Sequence, residues 1–315
     1  MLKNDHAHIV PDGRGQEATV ASRGRAPGGL RTFDQAVAVV TGGGSGIGRG
    51  LAESLAARGA RIAVADRDGA AADRVAADIG RGGGTAVAVE VDVVDFSAVV
   101  RAVDETHARW GRLDFLFNNA GISIGGEVRH HRIEDWNYVI DVNLRGVVNG
   151  IQAAYPIMLR QGFGHIVNTA SVQGLIPTPT SVSYAATKHA IVGLSKSLRA
   201  EAAPAGIRIS VVCPGLVDTP ILRGGRFGRL LQPIPDDFSL WGPVRPMDPA
   251  RFARRVLPQI ARNKAIIVVP GWWKVFWWLD RASPTLGMRL AQRFFERTAR
   301  RLAIALARDG GAGVR

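Results

Sequence analysis

The segment Ser183-Tyr184-Ala185-Ala186-Thr187-Lys188, with Ser171 thirteen residues before the tyrosine, carries the residue types best suited to proton chemistry. On a helix, Tyr184 and Lys188 stand at i and i+4 on one face, so the ammonium lies close to the phenol. A free tyrosine titrates near pH ~10, and a neighbouring cation favours the phenolate, which is the condition for exchanging protons near neutrality. The bland alternative is an unrelated Tyr and Lys on one face of an amphipathic helix, so further signals have to decide.

One such signal is Thr41-Gly42-Gly43-Gly44-Ser45-Gly46-Ile47-Gly48, which follows an apolar β-branched run and precedes an amphipathic one. Glycines there let the backbone turn tightly and approach a pyrophosphate, while the helix N-terminus offers free N–H groups and positive potential. Asp66 closes the next apolar run, where a carboxylate bonds ribose hydroxyls and repels a 2′-phosphate, so NAD is favoured. Arg67 follows it and keeps NADP open as the second reading.

The elements that must hold these groups alternate along the chain. Strands are expected at Ala36–Val40, Arg61–Ala65, Thr85–Val91, Leu113–Asn118, His165–Thr169, Ile207–Cys213 and Ala265–Val269. Between them, helices are expected at Ile47–Arg58, Ala70–Ile79, Phe96–Trp110, Ile133–Leu159, Ser183–Ala203 and Pro249–Ala261. Near-continuous Val/Ile/Ala strands separated by helices imply an α/β fold, a single Rossmann-like doubly wound parallel sheet of about seven strands. Residues 1–32 lack apolar periodicity and are expected to be disordered; residues 33–270 form the sheet domain, and 271–315 a helical, aromatic and basic extension.

The totals fit a globular protein, with 46% hydrophobic and 21% charged residues in 315. The net charge of +13 is uneven: residues 1–222 hold 22 Lys/Arg against 21 Asp/Glu, and residues 223–315 hold 18 against 6. A single cysteine, Cys213, cannot form an internal disulfide and suits a reducing compartment. No apolar run has the ~20 residues of a spanning helix and the first 30 residues lack a signal-peptide core, so a cytoplasmic location is expected.

With tyrosine, lysine and glycine loop in place, the chain resembles the short-chain dehydrogenase/reductase family over roughly residues 36–222. Thr41–Gly48 is similar to its cofactor loop, and Asn118-Asn119-Ala120-Gly121 to the segment bracing the sheet beside the adenosine. Asp92, in Val91-Asp92-Val93, matches the acidic residue at the adenine amino group. Pro214-Gly215, Val217 and Thr219 match the nicotinamide carboxamide segment. Asn143, Ser171, Tyr184 and Lys188 match the catalytic tetrad.

The resemblance implies hydride transfer between an alcohol carbon and nicotinamide, without a metal. It implies that Tyr184 is general acid/base, that Lys188 lowers its pKa and reaches the nicotinamide ribose, and that Ser171 bonds the substrate oxygen. It also implies that Asn143 holds a water linking Lys188 to solvent, that segment 218–250 covers the substrate, and that chains pair as homodimers or homotetramers through helices 133–159 and 183–203. A rival reading is a catalytically idle NAD-binding protein that recruits a membrane or partner. Nothing in mere cofactor binding requires the Ser–Tyr pair, which argues against it.

Ile122, Ile124, Val182, Leu216 and Leu222 are expected around the pocket, with Gln173 as polar neighbour of Ser171. They favour an apolar alcohol or ketone such as a steroid, retinoid or lipid. The extension opens with Trp272-Trp273-Lys274-Val275-Phe276-Trp277-Trp278. Then Leu290, Phe294, Thr298, Leu302 and Leu306 recur at helical spacing opposite Arg289, Arg293, Arg297, Arg300 and Arg301. This pattern reads as a helix lying on the inner, anionic face of a membrane. The alternative is that the tryptophans pack on the body or a second subunit and the arginines are solvated. Nucleic acid is not expected, since no recognised binding module accompanies the charge.

Overall fold

The computed structural model describes residues 29–222, 224, 228–230 and 245–311. The chain begins β1 (Val37–Thr41), α1 (Gly46–Ala56), β2 (Arg61–Asp66), α2 (Gly69–Arg81), β3 (Thr85–Glu90), α3 (Phe96–Trp110) and β4 (Phe115–Asn118). After the short β5 (Ser123–Gly125) come α4 (Ile133–Ile140), α5 (Gly146–Gln161), β6 (Gly164–Thr169), α6 (Val182–Ala202) and β7 (Ile207–Pro214). It ends β8 (Gly228–Leu230), α7 (Pro249–Ala261), β9 (Ile266–Val269), α8 (Trp273–Ala282) and α9 (Pro284–Gly311).

Seven strands form one sheet in the order β3-β2-β1-β4-β6-β7-β9, every pair parallel. The order reverses between β1 and β4, and in such sheets the crevice beyond the strand ends at that point is where ligands sit. The sheet is covered on both faces, as its apolar strands require. One face packs α3, α5 and α6 through Val99, Ile151 and Ile191; the other packs α1, α2 and α7 through Leu55, Val75 and Phe252. Aspartates start three of these helices: Asp68, Asp95 and Asp248 accept from the backbone N–H groups of Ala71, Ala98 and Arg251.

All seven expected strands of the main sheet are present, shifted by a residue or two at their ends. Three features differ from expectation. The helix expected over Ile133–Leu159 is interrupted by a π-helical turn at Asp141–Arg145, where Asn143 bonds the backbone of Ile122 in both directions. The short parallel pair β5–β8 lies outside the main sheet, too brief to show a periodicity. Residues 29–32, placed outside the fold by composition, lie against it: Leu30 packs on the core and Arg31 N–H donates to buried Asp114. Residues 1–28 and most of segment 218–250 lie outside the described residues.

Candidate active site

The glycine loop leaves β1 and enters α1 with Gly42 at φ 63° and Gly46 at φ 50°, backbone positions that disfavour a side chain. Space forbids one as well: a Cβ on Gly42 would stand 2.9 Å from Ala120 Cα, and one on Gly46 3.0 Å from Thr219 Cγ2. Ser45 is the N-cap of α1, makes no capping bond with its side chain, and no acidic residue occupies the first turn. That helix end therefore keeps its positive potential for an anion.

Asp66 ends β2 buried, its carboxylate accepting from Gly44 N–H at 2.9 Å and Asp68 N–H at 3.0 Å. Arg67 donates to the Tyr138 hydroxyl at 2.8 Å. Asn119 donates to the Thr41 carbonyl at 3.1 Å, while the Thr41 hydroxyl accepts from the N–H groups of Asn119 and Ala120. Asn118 donates to Asn168 Oδ1 at 2.9 Å and ties β4 to β6. A cradle closed by these bonds and shaped by missing Cβ atoms fits a dinucleotide.

The reactive groups meet at the ends of β6 and β7. Tyr184 and Ser171 open onto one cleft, the serine side chain close enough to act on the phenol's proton affinity, and Ser171 Oγ accepts from Gln173 N–H at 3.1 Å. Lys188 Nζ stands 5.3 Å from the Tyr184 ring centre and donates to the Thr169 carbonyl at 2.9 Å. Asn143 is fully buried; it accepts from Ile122 N–H at 2.8 Å and donates to the Ile122 carbonyl at 2.9 Å and to Thr187 Oγ1 at 3.3 Å. Its Oδ1 and Lys188 Nζ both stand close to Gly121, within 3.2 and 3.5 Å of where a Cβ would be.

Burial dominates the titration of this cluster. Desolvation pushes the Tyr184 phenol up to about 12; the Ser171 side chain pulls it back in part and the Cys213 thiol raises it. Desolvation brings Lys188 down to about 8, with Cys213 opposing. The Cys213 thiol is pushed up to about 12 by burial and stays protonated. The protein's own groups thus hold the phenol high, contrary to the expectation of a lysine-lowered value. The ammonium is spent on the Thr169 carbonyl, and both charged forms pay for leaving water.

A cleft of about 770 Å³ brings these groups together. Its wall includes Gly42, Ser45, Gly46, Ile47, Asp66, Arg67, Asp92, Val93, Asn119, Ala120 and Gly121, then Ser171, Gln173, Tyr184, Lys188, Pro214, Gly215, Val217 and Thr219. Three expected site residues stand behind the wall. Thr41 braces β1 to β4, Gly48 packs against the Gly42 carbonyl, and Asn143 acts through Ile122 and Thr187. Ile122, Leu216 and Leu222 line the cleft as expected, whereas Ile124 is packed in the core and Val182 faces outward.

Sequence reasoning missed three parts of the wall: Gly125, Gly126 and Glu127 at the end of β5, the segment 176–181, and the extension, whose α8 and α9 contribute Trp273, Phe276, Leu290 and Phe294 among others. Leu302 and Leu306 lie outside the residues whose side chains are described.

The comparisons agree with this geometry. A family model for short chain dehydrogenases matches residues 36–226, and the chain belongs to that family: it is an oxidoreductase acting on the CH–OH group. It is 40% identical over 192 residues to a meso-2,3-butanediol dehydrogenase of Serratia marcescens, covering 61% of this chain and 75% of that one. It is 36% identical over 200 residues to a 3-oxoacyl-[acyl-carrier-protein] reductase of Synechocystis, covering 63% and 81%. A solved short chain dehydrogenase/reductase from Burkholderia phymatum in complex with NAD superposes with TM-score 0.71 at 31% identity, over 82% of this chain and 96% of that one.

Proposed function

We propose that this chain is an NAD-dependent dehydrogenase or reductase of an apolar alcohol or ketone, with Tyr184 as general acid/base. The observation that carries the reading is the convergence of Ser171, Tyr184 and Lys188 on the same cleft as the glycine loop and Asp66, with Lys188 Nζ 5.3 Å from the Tyr184 ring centre. When bound, the nicotinamide supplies the hydride acceptor or donor. Ser171 Oγ–H holds the substrate oxygen as charge develops on it. Tyr184 takes the hydroxyl proton of an alcohol during oxidation and returns it to the carbonyl oxygen during reduction. Lys188 supplies positive charge behind the phenol and is assigned the nicotinamide ribose.

The Asn143 side chain is already engaged with Ile122 and Thr187. A water joining Lys188 to solvent is therefore assigned to the backbone of the wide turn that carries Asn143. Asp66 supports NAD over NADP, because a carboxylate fixed by two backbone N–H groups meets a 2′-phosphate with like charge. Tyr184→Phe is expected to remove nearly all turnover, at least about a hundredfold, and to leave the Kd for NAD close to that of the unaltered protein, tighter than for NADP. Retained turnover, or preference for NADP, refutes the corresponding part of the assignment.

Two assembly readings accompany it. Ile133, Ile140, Val148 and Leu159 are exposed along α4 and α5, which supports self-association through those helices into a homodimer or homotetramer. Val275, Trp278 and Met288 are exposed on α8 and α9 among Lys274, Arg281 and Arg289, which supports peripheral contact with an anionic bilayer.

A further inference from the structure

The family match ends at residue 226, and the cleft does not. Its wall continues onto α8 and α9, where Trp273, Phe276, Leu279, Leu290, Phe294 and Phe295 face it. The hairpin is anchored to the body: Trp273 and Trp277 pack against the core under one face of the sheet. A Cβ on Gly215 would stand 2.2 Å from Trp273 Nε1, so the indole lies directly on the turn that ends β7. A glycine at 215 is required by the tryptophan as much as by any ligand.

That indole nitrogen is buried and has no hydrogen-bond partner. The Gly215 turn covers that nitrogen, so the indole serves to seat the hairpin on the body. Phe276, Leu290 and Phe294 are 46%, 40% and 53% exposed while lining the cleft. They are apolar surface that a ligand's hydrocarbon would cover.

We propose that the C-terminal hairpin is the substrate-selecting wall of this enzyme. Phe276, Leu290 and Phe294 receive the apolar body of an elongated alcohol or ketone, and Trp273 holds the hairpin in place on the turn after β7. The proposal rests on the reading of the cleft as an alcohol–ketone site, and binding and turnover are therefore read separately.

The test uses the full chain saturated with NADH, with calorimetric Kd values for straight-chain 2-ketones of increasing length. The unaltered protein should bind about threefold more tightly per added methylene. Phe294→Ala should flatten that chain-length dependence and leave the NADH Kd within about twofold, and Val275→Ala, a residue 68% exposed and off the cleft wall, should change neither.

A chain-length slope indifferent to Phe294→Ala, or one flattened equally by Val275→Ala, would overturn the proposal. The expected binding pattern without reduction of any ketone would sink the reaction assignment and leave the wall standing.

Discussion

Tyr184 is a phenol held near 12 beside an ammonium held near 8, and the phenol's value governs how each direction of the proposed reaction responds to pH. At neutral pH the phenol carries its proton and is ready to give it to a carbonyl oxygen. Oxidation needs the phenolate, whose fraction grows tenfold per pH unit below the phenol's pKa. The kcat/KM for alcohol oxidation is therefore expected to climb from pH 6 towards 8 with a slope near one, while that for ketone reduction stays level. Steady-state profiles in both directions check this, and an oxidation profile already level at pH 6 would show that the bound cofactor lowers the phenol well below 7. The convergence of Ser171, Tyr184 and Lys188 was legible because they lie close in sequence and their spacing survives folding. The sign of the phenol's shift was not, because it depends on how much water surrounds the hydroxyl.

At the scale of elements, regular strands and helices were read nearly in full, since each buried strand is a run of Val, Ile and Ala between turn residues. The π turn under Asn143 was not, because one extra residue per turn hardly disturbs a helical pattern. The hairpin α8–α9 has two faces with separate consequences. Trp273 and Trp277 turn inward onto the body, so the reading in which the tryptophans pack on the protein holds for these two. Val275 and Trp278 remain 68% and 63% exposed. Sedimentation with phosphatidylserine-containing vesicles is expected to carry the protein down, and Val275→Asp with Trp278→Asp to return most of it to the supernatant. Equal recovery with neutral and anionic vesicles would count against an electrostatic membrane contact.

For the molecule as a whole, one sheet covered on both faces fixes the cleft at the β1–β4 reversal, and the extension folds back to complete it. No helix among the described residues is long and apolar enough to cross a membrane. The apolar residues exposed on α4 and α5 are the surface that the proposed self-association would cover, and on that reading sedimentation velocity should return a mass two or four times that of the 33.6 kDa chain. Ile133→Asp together with Ile140→Asp is expected to shift that mass towards the monomer; a monomeric unaltered protein would remove the reading.

What the sequence determined by itself was the order of strands and helices, the glycine-rich turn between β1 and α1 and the Tyr184–Lys188 pair on one helix face, all of which are local patterns of residue type and spacing. What only the tertiary structure decided was which surfaces meet. Burial set the phenol's proton affinity, bonds to Ile122 put Asn143 behind the wall, and the docking of Trp273 on Gly215 made a remote tail part of the cleft. These depend on contacts between segments far apart in the chain, and no local periodicity encodes such contacts.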